Sequence, residues 1–434
     1  MSAPPSSPIT DVLDQLKAVI GEREAAAVTP DRLLGAVGGL RRRLAAVPDP
    51  RRAAGRRHSL LSVLLVTICA LAADKNVFTH IEAWARDAPP VVLSAMDVRF
   101  DALSGRHVPP DESTLRDVLS RIDAAALAKA TADHLADLAV QHPDDRHPGV
   151  IDEREARRAR TAPAVDPLPA FAADGKRLAG ARRPDGTRVN LLSVTSHATG
   201  DTLAQHEIAA KTNEIPELAV LLAGFDLAGA ILTVDALHTQ RETARMIAED
   251  HHGFYLMTVK SNQPKLRAAI AARFGAPNSD FQAEGRYHLA ENRGHGRVEQ
   301  RQIRTATADG IDFPYAAQIA HITRRTRKLD TEHGWNHKEH VYAITNLPAH
   351  LAGPADLAQA ARGHWSVENR SHYVRDVTFA EDAHQARTAN TPANLATLRN
   401  LVTGTLRAAG HTNISHARAL QANRYDRTLT LFNL

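Results

Sequence analysis

Three carboxylates set the chemical question. Asp235 closes a short apolar run, Ala230 to Val234, which is bounded by Gly229 and rich in branched residues. Such a run reads as a strand buried on both faces. Asp174 closes a second apolar run, Ala170 to Ala173. Glu368 lies in the stretch Arg362-Gly363-His364-Trp365-Ser366-Val367-Glu368-Asn369-Arg370-Ser371-His372-Tyr373-Val374-Arg375-Asp376. An acid at the C-terminal end of a parallel strand sits on the edge where α/β sheets place ligands. An Asp there also caps helices, and a Glu on a cationic helix face also makes surface ion pairs, so each acid alone is ambiguous. Together, two Asp and a Glu offer the hard oxygen ligands that Mg²⁺ prefers. Two such ions about 4 Å apart can activate a hydroxyl and stabilise the departing oxygen of a phosphodiester. A polyanionic substrate then calls for cations nearby, and Lys176, Arg177, Lys260, Arg297, Arg362, Arg370 and Arg375 are available.

On an α-helix His364, His372 and Arg375 share the face of Glu368, with Trp365 one turn before it. Trp365 suits either stacking on an unpaired base or anchoring of the helix. Lys260, Asn262 and Gln263 follow the strand Phe254–Val259 and suit either phosphate contact or a turn. Asp376, Glu381 and Asp382 compete with Glu368 for the third acidic position. His333, His337 and His340 have a spacing that could hold a metal, but no cysteine or second cluster accompanies them, and they read as solvated.

The elements that must position these residues fall into blocks. Residues 1–10 read as disordered, and the pattern from Asp11 to about residue 140 is helical. A nearly all-apolar helix is expected at Leu60–Leu71, and Asp111-Glu112-Ser113-Thr114 is a capping signal. Arg41, Arg42, Arg43, Arg51 and Arg52, with Arg56 and Arg57, crowd this block. They suit DNA contact, a solvated face or a dimerisation module. Residues 141–169 read as an exposed linker. Residues 170–263 give the order β-β-β-α-β-α-β, which is that of a ribonuclease H-like mixed sheet. In such a sheet the first and fourth strands are neighbours, so Asp174 and Asp235 emerge side by side. Residues 264–340 read as a β-rich insertion, and 341–434 as the second part of the core with the Glu368 helix and C-terminal helices. The fold class is therefore α/β, a ribonuclease H-like sheet with a β-rich insertion, beside an all-α N-terminal domain and a helical tail.

Composition sets bounds. The 434 residues suffice for two or three domains. Hydrophobic residues are 43% and charged residues 24%, ordinary for a soluble protein. No apolar run approaches the ~20 residues of a membrane span, and the start lacks a signal-peptide pattern. The single cysteine, Cys69, excludes an internal disulfide and reads as core. These features point to the cytoplasm. A net charge of +4 with a pI near 9.3 permits a polyanionic partner without requiring one.

The strings ADGKRLAG, KTNEIPELAVLL, GAILTVDALHTQ, VKSNQPKL, HGRVEQR and RGHWSVENRSHYVRDVTFAED resemble, in that order, the DDE transposases of the H-repeat-associated, Rhs-linked (ISAs-type) insertion sequences. DPRR and STLRDVLSRID, in the N-terminal block, also resemble that group. The resemblance implies metal-dependent DNA cleavage and strand transfer at the element's ends. Its catalytic and metal-binding triad falls on Asp174, Asp235 and Glu368, with two Mg²⁺ as cofactor and Mn²⁺ as a substitute. The implied partners are double-stranded DNA, as terminal inverted repeats and target, and a second copy of the chain in the DNA complex. No membrane is involved, and the implied location is cytoplasmic, on the nucleoid. Related enzymes often place Tyr and Arg before the glutamate and Lys after it, where this chain has Ala361, His364 and Arg375. The group's LHW is replaced by Ser371-His372-Tyr373. A stand-alone nuclease and a domesticated DNA-binding protein are the alternatives.

Overall fold

The computed structural model describes residues 39–141, 168–183, 185–208, 214–275, 285–294, 296–329, 334–335 and 337–434. The expected helices before residue 39, most of the linker, and His333 lie outside them. Contacts divide the chain into two units, residues 1–145 with 415–434, and residues 146–414. The final helices, expected with the core, thus group with the N-terminal block.

In the first unit, α1 (Gly39–Ala45), α2 (Leu60–Ala72), α3 (Phe78–Arg86) and α4 (Pro90–Ala95) precede a two-residue-per-strand hairpin, β1 (Phe100–Asp101) and β2 (Arg106–His107). The hairpin departs from the all-α expectation. Then come α5 (Glu112–Arg121) and α6 (Ala124–Gln141). Asp111 caps α5 by accepting the Thr114 N–H at 2.7 Å. Every residue of α2 except Leu61 is buried, Cys69 included. The stretch Ala53–Ala72 has the length and hydropathy of a membrane span, contrary to expectation, but it lies mostly within this core and a Ser59 cap begins its helix. Arg418, 1% exposed, donates to the Leu71 carbonyl at 3.0 Å at the C-terminal end of α2.

The second unit is built on a nine-stranded mixed sheet with helices. Its strands are β3 (Ala170–Arg182), β4 (Arg188–Ser196), β5 (Thr202–Glu207), β6 (Ile231–Val234), β7 (Phe254–Val259), β8 (Tyr287–Gly294), β9 (Arg297–Thr307), β10 (Gln318–Lys328) and β11 (His337–Thr345). They lie in the order β5-β4-β3-β6-β7-β11-β10-β9-β8. Among the described residues, only β3–β6 and β6–β7 pair in parallel. The first and fourth strands of the unit are neighbours, as the β-β-β-α-β-α-β reading requires. Residues 264–340, read as a β-rich insertion, supply β8–β10; β11 pairs antiparallel with β7, so β8–β11 extend the same sheet.

Helices α7 (Glu214–Leu222), α8 (Arg241–Arg245, widening to a π turn at Met246–Asp250) and α9 (Pro264–Gly275) follow β5, β6 and β7 respectively. On the strands, alternation separates two cores. Leu232, Val234 and Ala173 join the cluster that includes Leu218, Ala244 and Ile270 of these helices. Ile231, Leu256 and Ala343 face the other way, into a cluster with Leu357 and Ala360 of α10 (Pro354–Val367). The chain then continues through α11 (Thr391–Ala408), α12 (Ile414–Gln421) and α13 (Tyr425–Phe432).

Candidate active site

Strand parity determines where the two aspartates point. Ala173 pairs with Val234 in the parallel β3–β6 ladder, so Asp174 and Asp235 are the next register position. Ala173 and Val234 face the α7–α9 core, which puts both carboxylates on the opposite face, the one α10 covers. Asp174 is not the end of its strand, as expected, because β3 runs on to Arg182. Gly180 permits this extension: a Cβ there would collide with the His384 carbonyl. Asp235 ends β6 and turns the chain, accepting the N–H of Leu237 at 2.9 Å.

Glu368 arrives from α10. The helix widens at that point into two π segments, Glu368–His372 and Val374–Thr378. Each extra residue in a turn rotates the later residues by about 100° relative to an α-helix. Glu368 remains 73% exposed, and His372 turns inward with its Nδ1 3.7 Å from Glu368 Oε2 and 3.6 Å from Asp174 Oδ2. One ligand atom from each of Asp174, Glu368 and His372 lies within 4.8 Å of the others. Arg375, expected on the Glu368 face, is rotated into the interior and is 2% exposed. It bonds Glu381, as does Arg399, at 2.8 Å each.

The electrostatics follow from this crowding. Burial, then the charges of Glu368 and Asp235, push the Asp174 carboxyl up to about 7 against the opposing Gly175 N–H. Glu214 adds to that repulsion. Its carboxylate lies where a Cβ on Gly175 would meet it at 2.5 Å, and 3.6 Å from Nε2 of buried His238. Burial, with the charges of Arg375 and Lys176, lowers His372 to about 3, so its imidazole is neutral. Burial alone would raise Glu381, but Arg375 and Arg399 hold it down to about 2.

The three competing acids are committed elsewhere. Asp376 accepts from Lys176 Nζ at 2.6 and 2.7 Å, Glu381 is walled in by its two arginines, and Asp382 accepts the Ala179 N–H at 3.1 Å. Lys176 and Arg375, expected to meet substrate, are therefore buried in ion pairs. Asn262 donates to the Ala236 carbonyl at 2.5 Å and Gln263 to the Thr239 carbonyl at 2.8 Å. Both tie the loop after β7 to the loop after β6, which is the turn role. Lys260, Arg177, Arg362 and Arg370 are exposed, and Arg370 also donates to the carbonyls of His197 and Ala198. Trp365 is 46% exposed under the Arg324 guanidinium, which bonds Glu299 at 2.7 Å. Half-exposed Arg297 lies 3.8 Å from the same Glu299. His340 is exposed, as read, and its ring stacks on that of His321.

Two supporting residues escaped the sequence reading, Glu214 and His197. His197 Nε2 and His364 Nδ1 both approach Thr233 Oγ1, at 3.0 and 3.1 Å, while that hydroxyl donates to the Phe171 carbonyl. His364 is thereby fixed beneath the site and not aimed outward. Gly363 makes this possible, since a Cβ there would overlap the His197 ring at Nδ1. A glycine inside a helical pattern signals such close packing. The signal for Glu214 was a carboxylate just ahead of Pro216 at a helix start.

In the first unit the arginines divide by environment. Arg43 pairs with Asp133 and Asp137, Arg51 is 6% exposed against Asp49 and the His58 carbonyl, and Arg41 donates to the Ala95 carbonyl. Arg42, Arg52 and Arg57 are exposed.

The family described as "Transposase DDE domain" matches residues 148–403, more than half of the chain. The chain belongs to the DDE-domain transposases. Residues 41–135 match the family "DDE_Tnp_1-associated", which accompanies that domain by name. The protein named "Putative transposase YncI" of Escherichia coli O157:H7 is 26% identical over 373 residues, covering 84% of this chain and 86% of that one. The "H repeat-associated putative transposase YhhI" of Escherichia coli strain K12 is 26% identical over 365 residues, covering 82% and 86%. A solved piggyBac transposase synaptic complex with hairpin DNA shares 11% identity over 93% of this chain and 79% of that one, at a TM-score of 0.38. The fold rests on the strand order described above rather than on that likeness. This DDE transposase has the function of an insertion-sequence transposase.

Proposed function

We propose that Asp174, Asp235 and Glu368 are the catalytic triad and that the transposase uses them to cut a DNA strand and then join the freed 3′-hydroxyl to a second phosphodiester. The observation that carries this reading is that Asp174 has Asp235 beside it across the β3–β6 ladder and Glu368 close by, both near enough for their charges to raise its carboxyl. The donor set fits divalent cations: it is oxygen-rich, and the Asp174 carboxyl is raised by burial and then by the charges of Glu368 and Asp235, a setting a cation would relieve. Two Mg²⁺ held there, or Mn²⁺ in their place, would supply Lewis-acid polarisation of the scissile phosphate and neutralise its developing charge. Asp174 and Asp235, adjacent across a rigid parallel pair, offer carboxylates at a fixed separation, and Glu368 completes the set.

The remaining residues hold substrate. Lys260, Arg177, Arg362 and Arg370 are exposed, and their charges suit the backbone of double-stranded DNA. Trp365, half exposed beside the acids, suits an unpaired base. In the first unit, Arg42, Arg52 and Arg57 are the arginines suited to phosphates at the terminal repeats. Two DNA ends must be held together, which implies a homodimer in the DNA complex. The ribonuclease H-like reading of the sheet and a location on the nucleoid belong to the same proposal.

The test is Asp235→Asn. Specific binding to terminal-repeat DNA should persist while divalent-dependent cleavage and strand transfer disappear. Wild-type turnover in that variant would refute the triad. A strand-transfer assay separates a transposase from a plain nuclease, which would cut and never join.

A further inference from the structure

His372 has no structural employment. It is 6% exposed, and its Nε2 is buried with no hydrogen-bond partner among the described residues. Its Nδ1 points between Asp174 and Glu368 at 3.6 and 3.7 Å, beyond hydrogen-bond reach of either. Buried polar groups are nearly always bonded, and an idle imidazole in the interior calls for a reason. A histidine serving only to neutralise the acids would close on one of them. This one stands off from both, with the three ligand atoms inside 4.8 Å of each other. Donors at about 2.1 Å from one ion are separated by ~3.0 Å in octahedral and ~3.4 Å in tetrahedral coordination. The two gaps to His372 Nδ1, 3.6 and 3.7 Å, are within several tenths of an ångström of that range. Glu368 and His372 are four residues apart and share a helix face, and the π segment Glu368–His372 keeps them together beside Asp174.

We propose that His372 is a nitrogen ligand to the divalent cation held between Asp174 and Glu368, so that this position has a mixed nitrogen–oxygen donor set. The inference rests on the triad reading above and deepens it. Imidazole suits transition-metal ions, whereas Mg²⁺ takes oxygen ligands and gives up water reluctantly. The position between Asp174 and Glu368 is therefore selective for Mn²⁺ over Mg²⁺, while the aspartate pair keeps an all-oxygen environment.

The experiment reads the metal itself. Mn²⁺ is bound to the full chain without DNA, and pulsed electron paramagnetic resonance is used to detect directly coordinated ¹⁴N. A nitrogen coupling is expected in the wild type and in Asn369→Ala, and none in His372→Gln. Mg²⁺ should displace Mn²⁺ from His372→Gln at a concentration about tenfold lower than from the wild type, in line with the affinity lost when a ligand sphere is disturbed. Bound Mn²⁺ without nitrogen coupling in the wild type would overturn the His372 assignment and leave the triad standing. A coupling that persists in His372→Gln would overturn it equally. No Mn²⁺ binding in the wild type, with no change on Asp235→Asn, would sink both readings together. If His372→Gln fails to fold, His372→Asn makes the same comparison, and a wild-type spectrum without nitrogen coupling overturns the assignment by itself.

Discussion

Neutralising Asp174 should make the metal-free protein more stable, and increasingly so as pH rises. Its carboxyl is raised from 3.8 to about 7 by burial and by Glu368 and Asp235. Between those values the folded protein holds a proton that the unfolded chain has released. Stability therefore falls as pH climbs through the window, and the full penalty is present above about pH 7. Three units correspond to about 4 kcal/mol. At pH 5 only about 1.6 kcal/mol of this has developed, so the penalty grows by about 2–3 kcal/mol between pH 5 and pH 8. Asn keeps the shape and cannot ionise. The melting temperature of Asp174→Asn, measured in EDTA, should exceed that of the wild type by a margin that widens by about 5 °C between those two pH values. Saturating Mn²⁺ should remove the margin at pH 8, because the cation supplies the missing counter-charge to the wild type alone. A margin that is constant with pH, or that shrinks toward pH 8, would refute the claim that burial beside Glu368 and Asp235 raises the Asp174 carboxyl.

Other expectations concern the supports. Glu381→Gln leaves Arg375 and Arg399 buried without their counter-ion and should cost about 3–5 kcal/mol in urea unfolding. Because Glu381 is held down to about 2, the wild type should keep that contribution above its usual 4.5 and lose it only as pH falls toward 2, the opposite of Asp174. Gly363→Ala should displace His197 from Thr233 and lower cleavage at least tenfold while a far-ultraviolet dichroism spectrum stays native. The triple substitution of Arg42, Arg52 and Arg57 by Ala should weaken DNA binding and reduce the salt slope of log K by up to about 3. Arg43→Ala should instead lower the melting temperature, since its charge is held by Asp133 and Asp137.

The pairing of the aspartates was legible because strand alternation is written in side-chain chemistry: apolar Ala173 and Val234 fix the parity, and the acids come next. Glu368 was legible as a residue but its setting was not. Helix widening is a change of backbone hydrogen-bond register with no side-chain signature, so the α spacing that grouped Arg375 with Glu368 failed. Lys176 was read as a substrate cation because Asp376, its partner, lies two hundred positions along the chain. Asn262 and Gln263 carry groups suited equally to phosphate and to backbone carbonyls, and only the nearby loop after β6 decides between them. Glu214 and His197 come from segments whose closeness to Asp174 and Thr233 is tertiary. The run of β3 past Asp174 was hidden because the apolar run that marked the strand stops at Ala173, while β3 goes on through polar residues to Arg182.

The unbroken sheet acts as a ruler. From β3, which bears Asp174, to the outermost strand β8 there are six steps of hydrogen-bonded ladder, or about 29 Å at the usual strand spacing. Ladders of this kind resist stretching. A duplex gripped along the far rim would have its cut point gauged at a set interval, on the order of eight or nine base-pair steps from the grip. Lengthening or deleting a hairpin at that rim would change where the protein holds its substrate without touching the residues that cut it.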